Sequence, residues 1–243
     1  MQALPHPSTL RLTRQSLPGS CEVCLAWTSG RLCPACHQRF AAPCNRCVQC
    51  ALALPQGQTR CGTCLSEPPP FERCLCVADY AFPWDRLITR FKYQQSPELA
   101  PLLARCLLQA AMHDQAMLPQ AFVPVPLSDR RLAERGYDQA WQLARCLARE
   151  SGLPTHARAL ERRFDGRQQA LLTRAERLAN LRGAFAVPAP MGDFVRGRHL
   201  DLVDDVLTTR ATAHEAATAL RAAGAARVDL WVVARTPAPQ GQA

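Results

Sequence analysis

The sequence predicts an α/β protein: a parallel sheet flanked by helices, preceded by a small metal-holding module. Three observations carry that prediction. Eleven of the thirteen cysteines fall between Cys21 and Cys76, which marks off an N-terminal unit. From Phe71 onward, short apolar runs alternate with stretches of helical periodicity, the pattern of strands covered on both faces by crossover helices. Near the C-terminus an apolar run ends in two carboxylates, and a hydroxyl-rich turn then opens a helix.

The bulk properties narrow the setting. The chain has 243 residues and a net charge of +9, and Lys92 is the single lysine among its 29 lysines and arginines. Guanidinium groups suit bidentate phosphate contacts, so the arginine excess favours polyanion partners, although the charge is spread along the chain. No run approaches the roughly 18 to 20 apolar residues that span a bilayer, so membrane insertion is not expected. Met1 to Ser20 has no apolar core of a secretory signal and reads as a flexible lead-in. A cytoplasmic, reducing location follows, and there clustered cysteines bind metal rather than form disulfides.

Residues 21–66 carry four Cys-x-x-Cys pairs: Cys21/Cys24, Cys33/Cys36, Cys47/Cys50 and Cys61/Cys64. Two thiolates separated by two residues can turn onto one metal, and a second such pair completes a tetrahedral site. Sequential pairing gives a double zinc ribbon with two structural zinc ions. Cys44 competes with Cys47 for the second register, His37 adjoins a knuckle, and an iron–sulfur cluster accepts the same four ligands. Cys74 and Cys76 read as strand residues, and Cys106 and Cys146 as helix core. Glu67-Pro68-Pro69-Pro70 is a stiff linker into the second domain, residues 71–243.

In that domain Cys76 to Phe82 reads as a strand closed by Pro83. Trp84 to Met112 reads as two helices parted at Pro97, and Phe122 to Pro126 as a short strand. Arg131 to Glu150 reads as one helix whose stripe includes Leu132, Leu143 and Leu147. A helix over Thr173 to Leu181, a strand over His199 to Val203, a helix from Thr212 to Ala223 stopped by Gly224, and a strand over Val228 to Val233 complete the pattern.

The chemical centre is Leu202-Val203-Asp204-Asp205-Val206-Leu207-Thr208-Thr209-Arg210-Ala211-Thr212. Free N–H groups, threonine hydroxyls and the positive end of a helix dipole converge there on one anion. Asp204 and Asp205 can accept hydrogen bonds from ribose hydroxyls or help to hold Mg²⁺. The basic residues Arg130, Arg131, Arg162 and Arg163 read equally well as a solvated face or as anion ligands. No Ser/His/Asp, P-loop or dinucleotide pattern stands out.

This run resembles the type I phosphoribosyltransferase fingerprint, and the chain as a whole is more similar to the ComF family of competence proteins. The resemblance covers Cys21 to Thr236. It rests on the paired knuckles, Val123-Pro124-Val125-Pro126-Leu127, Arg130-Arg131-Leu132 and Glu134-Arg135-Gly136-Tyr137-Asp138-Gln139-Ala140. Gln168-Gln169, Thr173 to Asn180 and Gly183-Ala184-Phe185 add to it. It implies that Asp204 and Asp205 face a ribose, that Thr208, Thr209 and Thr212, with Arg210 and Ala211 between them, cradle a 5′-phosphate, and that Arg130 and Arg131 contact pyrophosphate. It also implies a mobile loop over Arg162 to Asn180.

Three residues depart from the family pattern. Arg210 replaces a glycine, Asp138 replaces an asparagine, and Asp201 puts a carboxylate into an apolar strand. If position 210 needs a positive φ, arginine there costs about 1–2 kcal/mol. Two functions stay open. One is a competence protein that binds phosphoribosyl pyrophosphate (PRPP) or another phosphoribosyl ligand and handles incoming single-stranded DNA, with a competence helicase as a candidate partner. The other is an active phosphoribosyltransferase using PRPP and Mg²⁺ on an unidentified base-like acceptor.

Overall fold

The computed structural model describes residues 19–163 and 183–238. The expected lead-in up to residue 18, Gln168-Gln169, the expected helix over Thr173 to Leu181 and the bulk of the expected mobile loop lie outside the described residues.

The cysteine-rich module is built on turns. Gly19–Ser20 pairs antiparallel with Trp27–Thr28, so the ordered ribbon begins just ahead of Cys21. Helix α1 (Pro34–Phe40) starts at Cys33, whose sulfur accepts the Cys36 N–H. Helix α2 (Gly62–Ser66) starts at Cys61. Each half therefore presents its second cysteine pair at a helix start. Apart from the cysteines, the apolar residues packed in these two clusters are few: Val23, Leu32 and Phe40 in one, Leu52 and Leu54 in the other. A core that thin needs a cross-link or a metal to hold it.

Beyond it stands one parallel sheet of four strands: β1 (Cys74–Asp79), β2 (Ala121–Pro124), β3 (His199–Leu207) and β4 (Arg227–Arg235). The spatial order is β1-β4-β3-β2, with Cys76 opposite Val232, Leu202 opposite Leu230 and Val123 opposite Leu202. Helices α3 (Trp84–Tyr93), α4 (Ala100–His113) and α6 (Gln139–Ser151) cover one face. There Phe91, Leu103, Leu107, Leu143 and Leu147 pack on Val203, Trp231 and Val233. Helix α7 (Ala211–Ala222) covers the other through Ala213, Ala216, Ala217 and Leu220, against Leu200, Leu202, Leu230 and Val232. Both faces are buried, which is why the strands read as near-continuous apolar runs rather than alternating ones.

The expected α/β architecture is present, with four differences in its elements. The segment read as one helix over Arg131 to Glu150 is two: α5 (Asp129–Arg135) ends at Gly136, which adopts φ 78°, and α6 begins after Asp138. Leu132 is consequently exposed rather than part of the stripe formed by Leu143 and Leu147. Strand β1 lies earlier than expected, because Cys74 to Asp79 pairs with Leu230 to Arg235. Strand β3 runs on to Leu207, since β4 pairs with it up to the Leu207–Arg235 register. Asp204 and Asp205 thus sit within the last turn of pleat rather than after the strand. Among the described residues no helix is long and apolar enough to cross a membrane.

Candidate functional site

The site lies where β2 and β3 end, outside the carboxyl edge of the sheet. Successive residues of β3 point to opposite faces. Asp205 is buried and its Oδ1 meets Lys92 Nζ at 2.9 Å, while Asp204 is half-buried beside it and accepts the Asp205 N–H at 2.8 Å. Burial and the like charge of Asp205 push the Asp204 carboxyl well above the usual range. Burial alone would lower the Lys92 ammonium, but the charges of Asp205 and Asp204 outweigh it and hold the group protonated.

Around this pair opens a cleft of about 410 Å³ lined by both aspartates, Thr208, Thr212, Lys92, Arg131 and Arg135. Arg135 lies over the ring of exposed Tyr93, 4.9 Å from its centroid, and donates to Gln139 Oε1 at 2.8 Å. Asp138 lies behind the lining residues Leu127 and Gln139. Its carboxylate accepts the Trp141 N–H at 2.8 Å, capping α6, and the Leu127 N–H at 3.2 Å, tying the loop after β2 to that cap. The two bonds fall on different oxygens, Oδ1 and Oδ2, so an asparagine would keep the cap on α6 but turn an amide N–H toward the Leu127 N–H; the carboxylate serves both donors.

The threonine loop then turns into α7. Arg210 adopts φ 70° and makes no side-chain cap, so among the described residues the first-turn N–H groups of α7 have no capping side chain to receive them. The strain expected of a non-glycine residue at this position is therefore present. Its guanidinium turns away from the cleft, and Nη1 lies 3.2 Å from the sulfur of Cys64.

Two cysteine tetrads are assembled. Cys21, Cys24, Cys33 and Cys36 bring their sulfurs within 4.8 Å of one another, and so do Cys47, Cys50, Cys61 and Cys64. Cys44 is exposed and stands outside both groups, as does His37. Four thiols closing on one point, within a module that has little other core, is a donor set suited to a tetrahedral thiophilic ion. Both tetrads could hold metal ions.

A third cluster sits deep in the sheet. His199 Nε2 lies 3.2 Å from both Asp201 Oδ1 and Asp229 Oδ2, and Arg227 grips Asp229 through Nε and Nη2. Burial lowers the imidazole, but the two carboxylates outweigh it and raise it to about 9, whereas burial pushes Asp201 up to about 7. The carboxylate that looked out of place in an apolar strand is thus the partner of a histidine on its own strand. With Arg227 already on Asp229, this is an internal ion cluster rather than an open cation site.

Of the residues singled out in the sequence, Asp204, Asp205, Thr208, Thr212, Arg131 and Arg162 meet in the cleft. Thr209 and Arg210 line a neighbouring hollow that faces Cys50 and Cys61, and Ala211 is buried against the sheet. Arg130 is largely exposed and does not line the cleft; its Nε faces Oε1 of Glu134, which does, at 3.6 Å. Sequence reasoning missed Lys92, Arg135 and Arg235. For Lys92 there was a signal in its being the single lysine of an arginine-rich chain, and for Arg135 in its place within Glu134 to Ala140, a stretch that carries the resemblance; for Arg235 there was none.

No family model matches the chain. It is 36% identical over 228 residues to the DNA utilization protein YhgH of Escherichia coli strain K12, covering 91% of this chain and 99% of that protein. It is 33% identical over 209 residues to competence protein F of Haemophilus influenzae, covering 84% and 90%. Competence protein ComFC of Bacillus subtilis is 26% identical over 226 residues, covering 89% and 83%. Among solved structures, a glutamine PRPP amidotransferase from B. subtilis complexed with ADP and GMP aligns with a TM-score of 0.41 at 21% identity, over 59% of this chain and 30% of that one.

Proposed function

The chain belongs to the ComF family of competence and DNA-utilization proteins, and from that premise we propose that it handles incoming single-stranded DNA through a pocket for a 5′-phosphorylated pentose. The observation that carries the reading is the convergence of Asp204, Asp205, Thr208, Thr212 and Lys92 on one cleft at the start of α7. In it, Thr208 and Thr212 hydroxyls and the first N–H groups of α7 receive the phosphate, with the helix dipole aiding them. Asp204 and Asp205 accept the ribose hydroxyls. Lys92, 2.9 Å from Asp205, partly neutralises the acid pair, so the pocket admits an anion without repelling it. Arg131 and Arg135 lie on the side from which a pyrophosphate or the next nucleotide's phosphate would approach, with Mg²⁺ a companion of PRPP rather than of the empty cleft.

The same reading takes residues 21–66 as a double zinc ribbon and residues 71–243 as a phosphoribosyltransferase-like domain. Zinc would supply structure, fixing Cys21, Cys24, Cys33 and Cys36 in one knuckle and Cys47, Cys50, Cys61 and Cys64 in the other. The net charge of +9 favours attraction to a nucleic-acid backbone.

The test is calorimetry with ribose 5-phosphate and with PRPP and Mg²⁺, beside filter binding of single-stranded DNA. Thr208→Val should weaken ribose 5-phosphate binding by about 1–3 kcal/mol, as for a charge-assisted hydrogen bond removed. Equal affinity in wild type and variant would sink the pocket. Release of pyrophosphate from PRPP with any member of a panel of bases would replace the DNA-handling reading with the transferase one.

A further inference from the structure

The phosphate loop is not held by the sheet alone. Two arginines join it to the second cysteine tetrad, and neither uses a carboxylate to do so. Arg210, strained at φ 70°, extends Nη1 to within 3.2 Å of Cys64 Sγ. Arg235, at the end of β4, is 9% exposed. Its Nε donates to the Cys50 carbonyl at 3.0 Å, and its Nη1 donates to the carbonyls of Leu207 at 2.8 Å, Thr208 at 2.6 Å and Thr236 at 2.9 Å. One guanidinium thus grips a tetrad residue and the first half of the loop, and the other runs from the loop's apex to a tetrad sulfur. Among the described residues neither arginine lies within ion-pair distance of a carboxylate.

A buried guanidinium needs a compensating negative charge. Four thiolates around one divalent ion leave a net charge of −2, and their sulfurs accept charge-assisted hydrogen bonds. The chemistry missing from the arginines' surroundings is what the loaded tetrad provides. The strain at Arg210 has a matching explanation. A glycine would adopt φ 70° freely but would leave the tetrad without this donor, so the backbone cost at this position is offset by a contact only a long cation reaches.

We propose that the metal held by Cys47, Cys50, Cys61 and Cys64 acts as a positioning element for the phosphate loop, coupled to it through Arg210 and Arg235. Loss of that metal loosens residues 207–212, and a ligand seated in the loop strengthens retention of the metal. The second half of this statement rests on the phosphate-binding reading above; the first does not. The coupling is reciprocal, as any linkage of two binding equilibria must be. The tetrad at Cys21 takes no part: among the described residues the tetrad cysteines that Arg210 and Arg235 touch are Cys64 and Cys50.

The experiment follows zinc release from the full chain into a chromophoric chelator, where two ions should leave in two resolvable phases. Arg210→Gln, which keeps the size but not the charge, should accelerate one phase about tenfold or more, the range for loss of an outer-shell ligand contact, and leave the other unchanged. Arg210→Lys should restore part of the difference. Hydrogen exchange of the 207–212 amides should quicken when the phase that Arg210→Gln accelerates is complete, and Cys24→Ser, which removes the first site, should not quicken it. Release rates identical in wild type and Arg210→Gln, or loop exchange indifferent to the second metal, would overturn the coupling. Ribose 5-phosphate at saturation, established by calorimetry, should slow the phase that Arg210→Gln accelerates. No binding of ribose 5-phosphate at all would overturn the phosphate reading while the release and exchange arms still judge the coupling. Binding without any effect on release would overturn the proposed reciprocity.

Discussion

Lys92 and Asp205 show how one residue pair can govern a site and yet escape a linear reading. The aspartate announces itself, because two carboxylates closing an apolar strand ahead of Thr-Thr-x-x-Thr have little structural reason to be there. The lysine arrives from the end of α3 and meets Asp205 only once α3 has packed on the sheet. Breaking a buried pair leaves one charge uncompensated, so Lys92→Gln should destabilise the protein by about 3 kcal/mol in denaturant titrations at neutral pH. Lys92→Gln combined with Asp205→Asn should recover much of that loss; simple additivity would show that the pair is not coupled. His199 and Asp201 give a pH signature. Both bind a proton more tightly in the fold than in the unfolded chain, which favours the folded state while they are protonated. The Asp201 contribution is present below about 3.8 and is lost as pH rises through about 7. The His199 contribution is present below about 6.5 and is lost through about 9. Stability should therefore decline from pH 5 to pH 9, on the order of 2–3 kcal/mol. Melts of His199→Gln over the same range should be flatter, and a wild-type profile equally flat would refute this account.

Among the elements, those with a strong internal signal were legible and those decided by packing were not. Pro97 divides α3 from α4 as its ring requires, and the apolar stripe of α4 is where periodicity sets it. The break between α5 and α6 was hidden, because Glu134 to Gln139 contains no proline and Gly136 is tolerated inside helices. What ends α5 is Gly136 in the left-handed region, and what starts α6 is the Asp138 cap. Burial raises the Asp138 carboxyl, against the opposing N–H bonds from Trp141 and Leu127, so charge is a cost here rather than an asset. Asp138→Asn keeps the α6 cap and gives up the Leu127 bond, so it should cost less than Asp138→Ala, which should cost about 1–2 kcal/mol by leaving α6 uncapped. Urea midpoints of the two variants decide it, and equal losses would mean that the cap is not what matters. The extra length of β3 was hidden for a different reason: strand ends are set by the partner, and β4 pairs as far as Arg235.

For the whole molecule, the order of modules could be read from cysteine spacing and from the change of texture at Phe71, but not the way the modules are joined. Arg46 crosses to Asp79 at 2.6 Å, the Cys74 N–H reaches the Val48 carbonyl at 2.8 Å, and Arg235 reaches Cys50. None of these pairings has a local pattern. Elemental analysis of purified protein should return two zinc ions per chain; iron with a visible chromophore would replace the zinc reading by a cluster. The strand order carries one more consequence, for the protein as it is being made. Strand β4, the last of the four in sequence, lies between β1 and β3. Until the ribosome has released it, β1 has no neighbour to pair with and β3 has only β2, so β1 waits unpaired from residue 79 onward and one apolar edge of β3 from residue 207. Nascent chains stalled before residue 227 should therefore depend on chaperones and precipitate without them, and the arginine that joins loop to knuckle takes its place only after the other three strands have been made.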